Sequence, residues 1–96
     1  MLVNAVMYTF PPEKADQVEG LFAELALKSR EEPGCIAYEV ARGAGADSAT
    51  FMLFEKWRDQ NALDEHMATE HFHKLGKNGV RHLATSRHAV KGALIA

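Results

Sequence analysis

The run Thr50 to Trp57 places Phe51, Leu53, Glu55 and Trp57 on one side of an extended chain and Met52, Phe54 and Lys56 on the other. Successive side chains of a strand point to opposite faces, so neither face of this strand is a plain water face. A sheet built around it therefore needs apolar cover on both sides. The chain has 96 residues, enough for one domain spanning 1–96 and too few for two. A domain of this size buries only roughly 60–65% of its unfolded surface. Stability is then marginal unless subunits associate.

The other elements follow from changes of period. Leu2 to Phe10 is apolar and β-prone, and Pro11-Pro12 ends it, because proline cannot donate to a ladder. Val18, Leu21, Phe22, Leu25 and Ser29 then recur at one-face helical spacing. Pro12 suits the start of that helix and Pro33-Gly34 its end, which predicts about five turns. Cys35 to Arg42 alternates again, and Gly43 to Ser48 supplies a turn into Thr50 to Trp57, which makes a hairpin. Asp59 is a good N-cap for a helix through Ala62, Leu63, His66 and Met67. Further helical material runs after Thr69 through Phe72, Leu75, Val80 and Leu83, with interruptions expected at Gly76 and Gly79. Ser86 to Ile95 reads as a last strand with Gly92 as a bend or bulge. The order β-α-β-β-α-β is an α+β, ferredoxin-like split arrangement: an antiparallel sheet with both helices on one face. The bare face of such a sheet is expected to be covered by a second copy, as a two-fold homodimer.

Several function classes are disfavoured by composition. Eleven Lys and Arg stand against 13 Asp and Glu, a formal charge of −2, so there is no excess of cations for a nucleic-acid footprint. Cys35 is the only cysteine, which rules out an intrachain disulfide and a cysteine-cluster metal site and fits a reducing compartment. The N-terminal apolar run has no basic flank and no cleavage site, so it reads as a strand. No apolar stretch approaches the roughly 20 residues that cross a bilayer. A soluble cytoplasmic protein is expected.

Three segments carry a family resemblance over almost the whole chain. They are Ser29 to Val40, with the helix-ending E-P-G-C and Tyr38; Phe51 to Trp57, closing on E-x-W; and Ala62 to Phe72, with H-x-x-T-x-H-F. Together they resemble the antibiotic-biosynthesis-monooxygenase domain family. The resemblance implies a dimer of ferredoxin-like subunits whose sheets form a shared barrel, with a pocket between sheet and helices in each. Members include cofactor-free oxygenases of quinols or anthrones, haem-degrading enzymes and an isomerase of a phosphorylated sugar. The fold by itself does not choose between these chemistries.

Asn4, Trp57 and His66 are the candidate catalytic residues. Asn4 lies in an otherwise apolar strand, where a buried amide must find partners or cost about 1–3 kcal/mol. Trp57 matches the Trp that some cofactor-free members place against an aromatic substrate, though Leu53 stands where those members carry an Asn. His66 is the candidate acid or base, since histidine is the side-chain type suited to that work at neutral pH, and it shares a helix face with Leu63 and Met67. Arg30, Tyr38, Leu53, His71 and Phe72 are the expected substrate contacts. Glu55 points among apolar neighbours and is expected to pair with a cation of the other subunit. His66, Glu70 and His73 would share one face of an unbroken helix, but the plainer reading is a polar helix surface, and no metal is expected. His82 and His88 read as solvated.

The leading expectation is a cofactor-independent monooxygenase that uses dioxygen to oxidise a small phenol, hydroquinone or anthrone to a quinone. The alternatives are an isomerase or other acid-base enzyme on a small oxygenated or phosphorylated metabolite, using His66, His71 and Arg30, and a non-catalytic ligand-binding dimer. Haem degradation ranks last, because the haem-ligating histidine of such relatives would fall near Gly76-Lys77.

Overall fold

The computed structural model describes Met1–Ala96. Four strands, β1 (Leu2–Thr9), β2 (Cys35–Arg42), β3 (Thr50–Trp57) and β4 (Ser86–Ala93), form one antiparallel sheet in the order β2-β3-β1-β4. Helix α1 spans Ala15–Ser29 and α2 spans Gln60–Met67. A π-helix, Phe72–Val80, runs directly into the single turn α3, Arg81–Leu83. The α+β, ferredoxin-like order expected from the periodicities is the order observed.

The differences are local. A 3-10 turn at Pro12–Lys14 takes up the start of the first helix, so α1 has 15 residues, about four turns. Gly76 and Gly79 do not interrupt the second helical region. The chain widens there into a π-helix, and Gly76 lets the Phe72 ring lie against it, since a Cβ at Gly76 would stand 3.3 Å from Phe72 Cδ1. Gly92 is not a bulge either, because β4 keeps register with β1 through the Val3–Gly92 pair. The irregularity lies in β2, between Cys35 and Ala37, and leaves Ile36 exposed.

The sheet face that carries Val6, Tyr8, Leu53 and Trp57 is buried under α1, α2 and the π-helix, with Val18, Phe22, Leu25 and Leu75 opposite it. Phe10, Phe22 and Phe51 meet edge-on or tilted, with ring centroids 5.5–6.3 Å apart. The opposite face has no cover. Met7, Met52, Phe54 and Val90 are all exposed there, around a shallow concavity of about 610 Å³. Every residue of β4 is exposed. No helix is long and apolar enough to cross a membrane.

Candidate active site

The site grows from the turn between α1 and β2. Gly34 packs so closely on α2 that a Cβ there would sit 2.3 Å from Ala62 Cβ. Its carbonyl also accepts the Arg58 N–H at 2.9 Å. Asp59 accepts the Ala62 N–H at 2.9 Å and starts α2 at that point. The E-P-G-C segment is thereby clamped to the helix that carries His66, and Glu32 reaches it. His66 Nδ1 and His71 Nε2 each lie 2.7 Å from the same Glu32 Oε2. An ionised carboxylate only accepts, which assigns a proton to His66 Nδ1; in the neutral ring the lone pair is then on Nε2.

His66 Nε2 faces inward, 4.0 Å from Glu55 Oε1. Both Glu55 oxygens are held from within the chain. Trp57 Nε1–H donates to Oε1 at 3.0 Å, and Asn4 Nδ2–H donates to Oε2 at 2.9 Å. This corrects the expectation that Glu55 pairs with a cation of another subunit: its two bonds come from its own sheet. Strand geometry explains the arrangement. Asn4 is the register partner of Glu55 on β1, and Trp57 lies two residues along the same face. The Trp57 ring lies 4.5 Å from the His66 ring, and Tyr38 stands edge-on to Trp57 at 6.5 Å.

Burial dominates the electrostatics. It raises the Glu55 carboxyl above the ordinary carboxylate range, against the opposing pull of His66, Trp57, Asn4 and Arg81. Burial, followed by Glu55, pushes the Tyr38 hydroxyl far up, so it stays a neutral phenol. The Cys35 thiol is pushed up to about 11 by burial and by Glu32 and Glu55, which makes it a poor nucleophile.

The raised Glu55 value has a consequence for stability. The folded chain holds the Glu55 proton more tightly than the unfolded chain does. Stability from this group is therefore greatest below the unfolded value of about 4.3 and declines as pH rises through the raised folded value. Thermal melts from pH 4 to pH 8 should show Glu55→Gln gaining on the unmodified protein as pH rises. A constant gap would contradict the assignment.

Two cavities meet at Glu55 and His66. The larger, about 150 Å³, has Asn4, Leu63, Met67 and Phe72 in its wall and Arg81, Arg87 and Lys91 at its edge. The smaller, about 20 Å³, touches Tyr38, Leu53 and Phe72. Asn4, Trp57 and His66, the three residues singled out from the sequence, thus converge on one carboxylate. Tyr38, Leu53 and Phe72 line the smaller cavity, while His71 lies outside both cavities, on Glu32. Arg30 lines neither cavity. Its Nε–H donates to the Tyr38 carbonyl at 2.9 Å, and its side chain lines a separate groove beside α1 and β2.

Sequence reasoning missed Glu32 as a site residue, although it lies inside the quoted E-P-G-C motif, because it read there as a helix end. His66, Glu70 and His73 do not share a helix face, since α2 stops at Met67, where Thr69 Oγ1 donates to the His66 carbonyl and accepts the Phe72 N–H. The donor set that does form is Glu32, His66 and His71, with ligand atoms within 4.8 Å of one another. These are the residues that could hold a divalent cation. His82 and His88 are exposed, as expected.

The family model described as antibiotic biosynthesis monooxygenase matches residues 1–78. The chain belongs to this family. A solved antibiotic biosynthesis monooxygenase is 33% identical and superposes with a TM-score of 0.88, covering 100% of both chains. PA3566 of Pseudomonas aeruginosa is 30% identical with a TM-score of 0.86, over 99% of this chain and 94% of that one. YcnE of Bacillus subtilis (strain 168), provisionally named a monooxygenase, is 29% identical over 98% of each chain. The match to sll1783 of Synechocystis reaches 38% identity but spans 67% of this chain and only 43% of that protein. The family places this chain among monooxygenase-like proteins and leaves the substrate to the site.

Proposed function

We propose that this family member is a cofactor-independent monooxygenase that oxidises a small phenol or hydroquinone to a quinone. The observation that carries the reading is the pair His66 and Glu55, with His66 Nε2 4.0 Å from a buried carboxylate at the wall of a cavity that Leu63, Met67 and Phe72 line on one side. A cavity of about 150 Å³ matches the size that holds one benzene ring. One-ring substrates are thus favoured over the three-ring anthrones.

His66 Nε2 takes the proton of the substrate hydroxyl, and Glu32 on Nδ1–H stabilises the imidazolium that forms, as an orienting carboxylate does. The electron-rich ring passes an electron to dioxygen. Recombination forms a carbon–oxygen bond and a hydroperoxide, and loss of water leaves the carbonyl. A phenol and dioxygen thus give a quinone and water, while a hydroquinone gives a hydroxyquinone and water. The substrate supplies all the electrons. The protein supplies the proton acceptor and an apolar wall that excludes water. An oxygen electrode with a panel of phenols and hydroquinones tests the reading, and absence of protein-dependent uptake across the panel would sink it.

The bare sheet face supports a two-fold homodimer, since Met7, Met52, Phe54 and Val90 form one apolar surface on it. Phe54→Glu puts a charge into that surface and leaves the site on the other face untouched. Light scattering should give a dimer mass for the unmodified protein and a monomer mass for the variant. A monomer in both cases contradicts the dimer.

A further inference from the structure

The edge of the 150 Å³ cavity is built from three cations on two elements. Arg81 opens α3, and Arg87 and Lys91 project from β4 on the helix-facing side, opposite Tyr8 and Asn4 in register. No carboxylate lies within 4.0 Å of any of the three. Their contacts are with uncharged groups. Arg87 Nε–H donates to the Tyr8 hydroxyl at 3.2 Å, Lys91 Nζ–H donates to Gln60 Oε1 at 3.1 Å, and the Arg81 guanidinium lies 5.1 Å from the Phe72 ring centre. The protein as a whole has more acids than bases, 13 against 11, so a shortage of carboxylates is not the reason. The one carboxylate in the cavity, Glu55, is already held by Asn4 and Trp57.

The placement of Arg81 depends on the π-helix. Nine residues of an α-helix make two and a half turns, which would set Arg81 on the opposite side from Phe72. The wider i→i+5 winding makes nine residues roughly two turns, so the guanidinium returns over the Phe72 ring, towards Glu55. Arg81 thus faces a cavity whose one protein acid, Glu55, is already held by Asn4 and Trp57, and with Arg87 and Lys91 it leaves a surplus of cations suited to a ligand's anion.

We propose that the cavity binds a one-ring aromatic compound bearing an anionic group, the ring against Leu63, Met67 and Phe72 and the anion against Arg81, Arg87 and Lys91. The inference rests on the aromatic-substrate reading above and narrows it to acids. A carboxylate on the ring meets Arg81 and Arg87 at the rim while the phenolic hydroxyl reaches inward to His66. A neutral ring of the same shape keeps the apolar contacts and loses the charged ones.

Isothermal titration calorimetry with 2,5-dihydroxybenzoate and its neutral methyl ester tests this on the full chain. The acid should bind at least about tenfold more tightly at low ionic strength, equivalent to about 1.4 kcal/mol, with the gap narrowing as salt is added. Arg81→Gln/Arg87→Gln should bring the two affinities together, and Lys28→Gln, far from the cavity, should leave the gap intact. Lys91→Gln, on an exposed edge strand, gives a milder variant should the double variant melt early.

Equal affinity for acid and ester, or no binding of either, overturns the inference. So does a gap that survives in both the double variant and Lys91→Gln. Oxygen uptake separates this inference from the oxygenase reading. Acid-selective binding without uptake removes the oxygenase and keeps the anion site. Uptake with equal KM for both probes does the reverse.

Discussion

His66→Ala should lower protein-dependent oxygen uptake by about 10²–10⁴-fold, the span attributed to one positioned acid or base. The expectation rests on position: His66 alone joins the outer carboxylate Glu32, at 2.7 Å, to the inner carboxylate Glu55, at 4.0 Å. His66 is 2% exposed, so truncation leaves a hole beside Trp57 and loosens the fold as well as removing a base. His66→Gln separates the two effects. It fills much of the volume and donates towards Glu32, but its amide cannot carry a proton. Uptake should be lost in both variants, and the melting temperature should fall mainly in the alanine variant. If His66→Gln kept near-full kcat, the proton would have to go elsewhere, and Glu55 would be the next group to test.

Trp57→Ala should produce the largest loss of stability. Trp57 is fully buried, stands 4.5 Å from the His66 ring and donates the hydrogen bond to Glu55 Oε1. Truncating a buried Trp costs about 3–5 kcal/mol, and removing a donor from a buried carboxylate adds about 1–3 kcal/mol. A domain of this size has about 5–15 kcal/mol in all. At about 4–8 °C per kcal/mol, thermal melts should shift down by roughly 15–60 °C, the upper part of which means a variant that fails to fold. A shift under about 5 °C would mean that the indole is not the pillar between sheet and α2. Trp57→Phe should keep most of the packing and lose the Glu55 bond, giving a smaller fall in melting temperature.

Much of the site was legible one residue at a time. Asn4 stood out as an amide in an apolar strand, His66 as a titratable group on an apolar helix face, and Trp57 as the aromatic end of a motif. All three contact or face Glu55. Glu55 itself was recognised as buried and in need of a partner, but its partner was misplaced. Alternation along β3 fixes which face Glu55 takes and says nothing about which strand lies alongside. Asn4 becomes its neighbour only when β1 pairs with β3. Arg30, expected as a charge at the pocket mouth, instead donates to the Tyr38 carbonyl and lines the groove beside α1.

Local pattern determined the strands, the order of the elements and the two-sided apolar sheet, because strand and helix periods and proline stops act within a few residues. Tertiary structure decided what meets across the sheet. Gly34 against Ala62 brings Glu32 to His66 and His71. The π-helix turns Arg81 back over Phe72, where glycine positions in the sequence had suggested only breaks. Neither contact has a local signal. Each depends on how closely two backbones approach and how widely a helix winds, which hydrogen bonding and packing across the whole domain settle together.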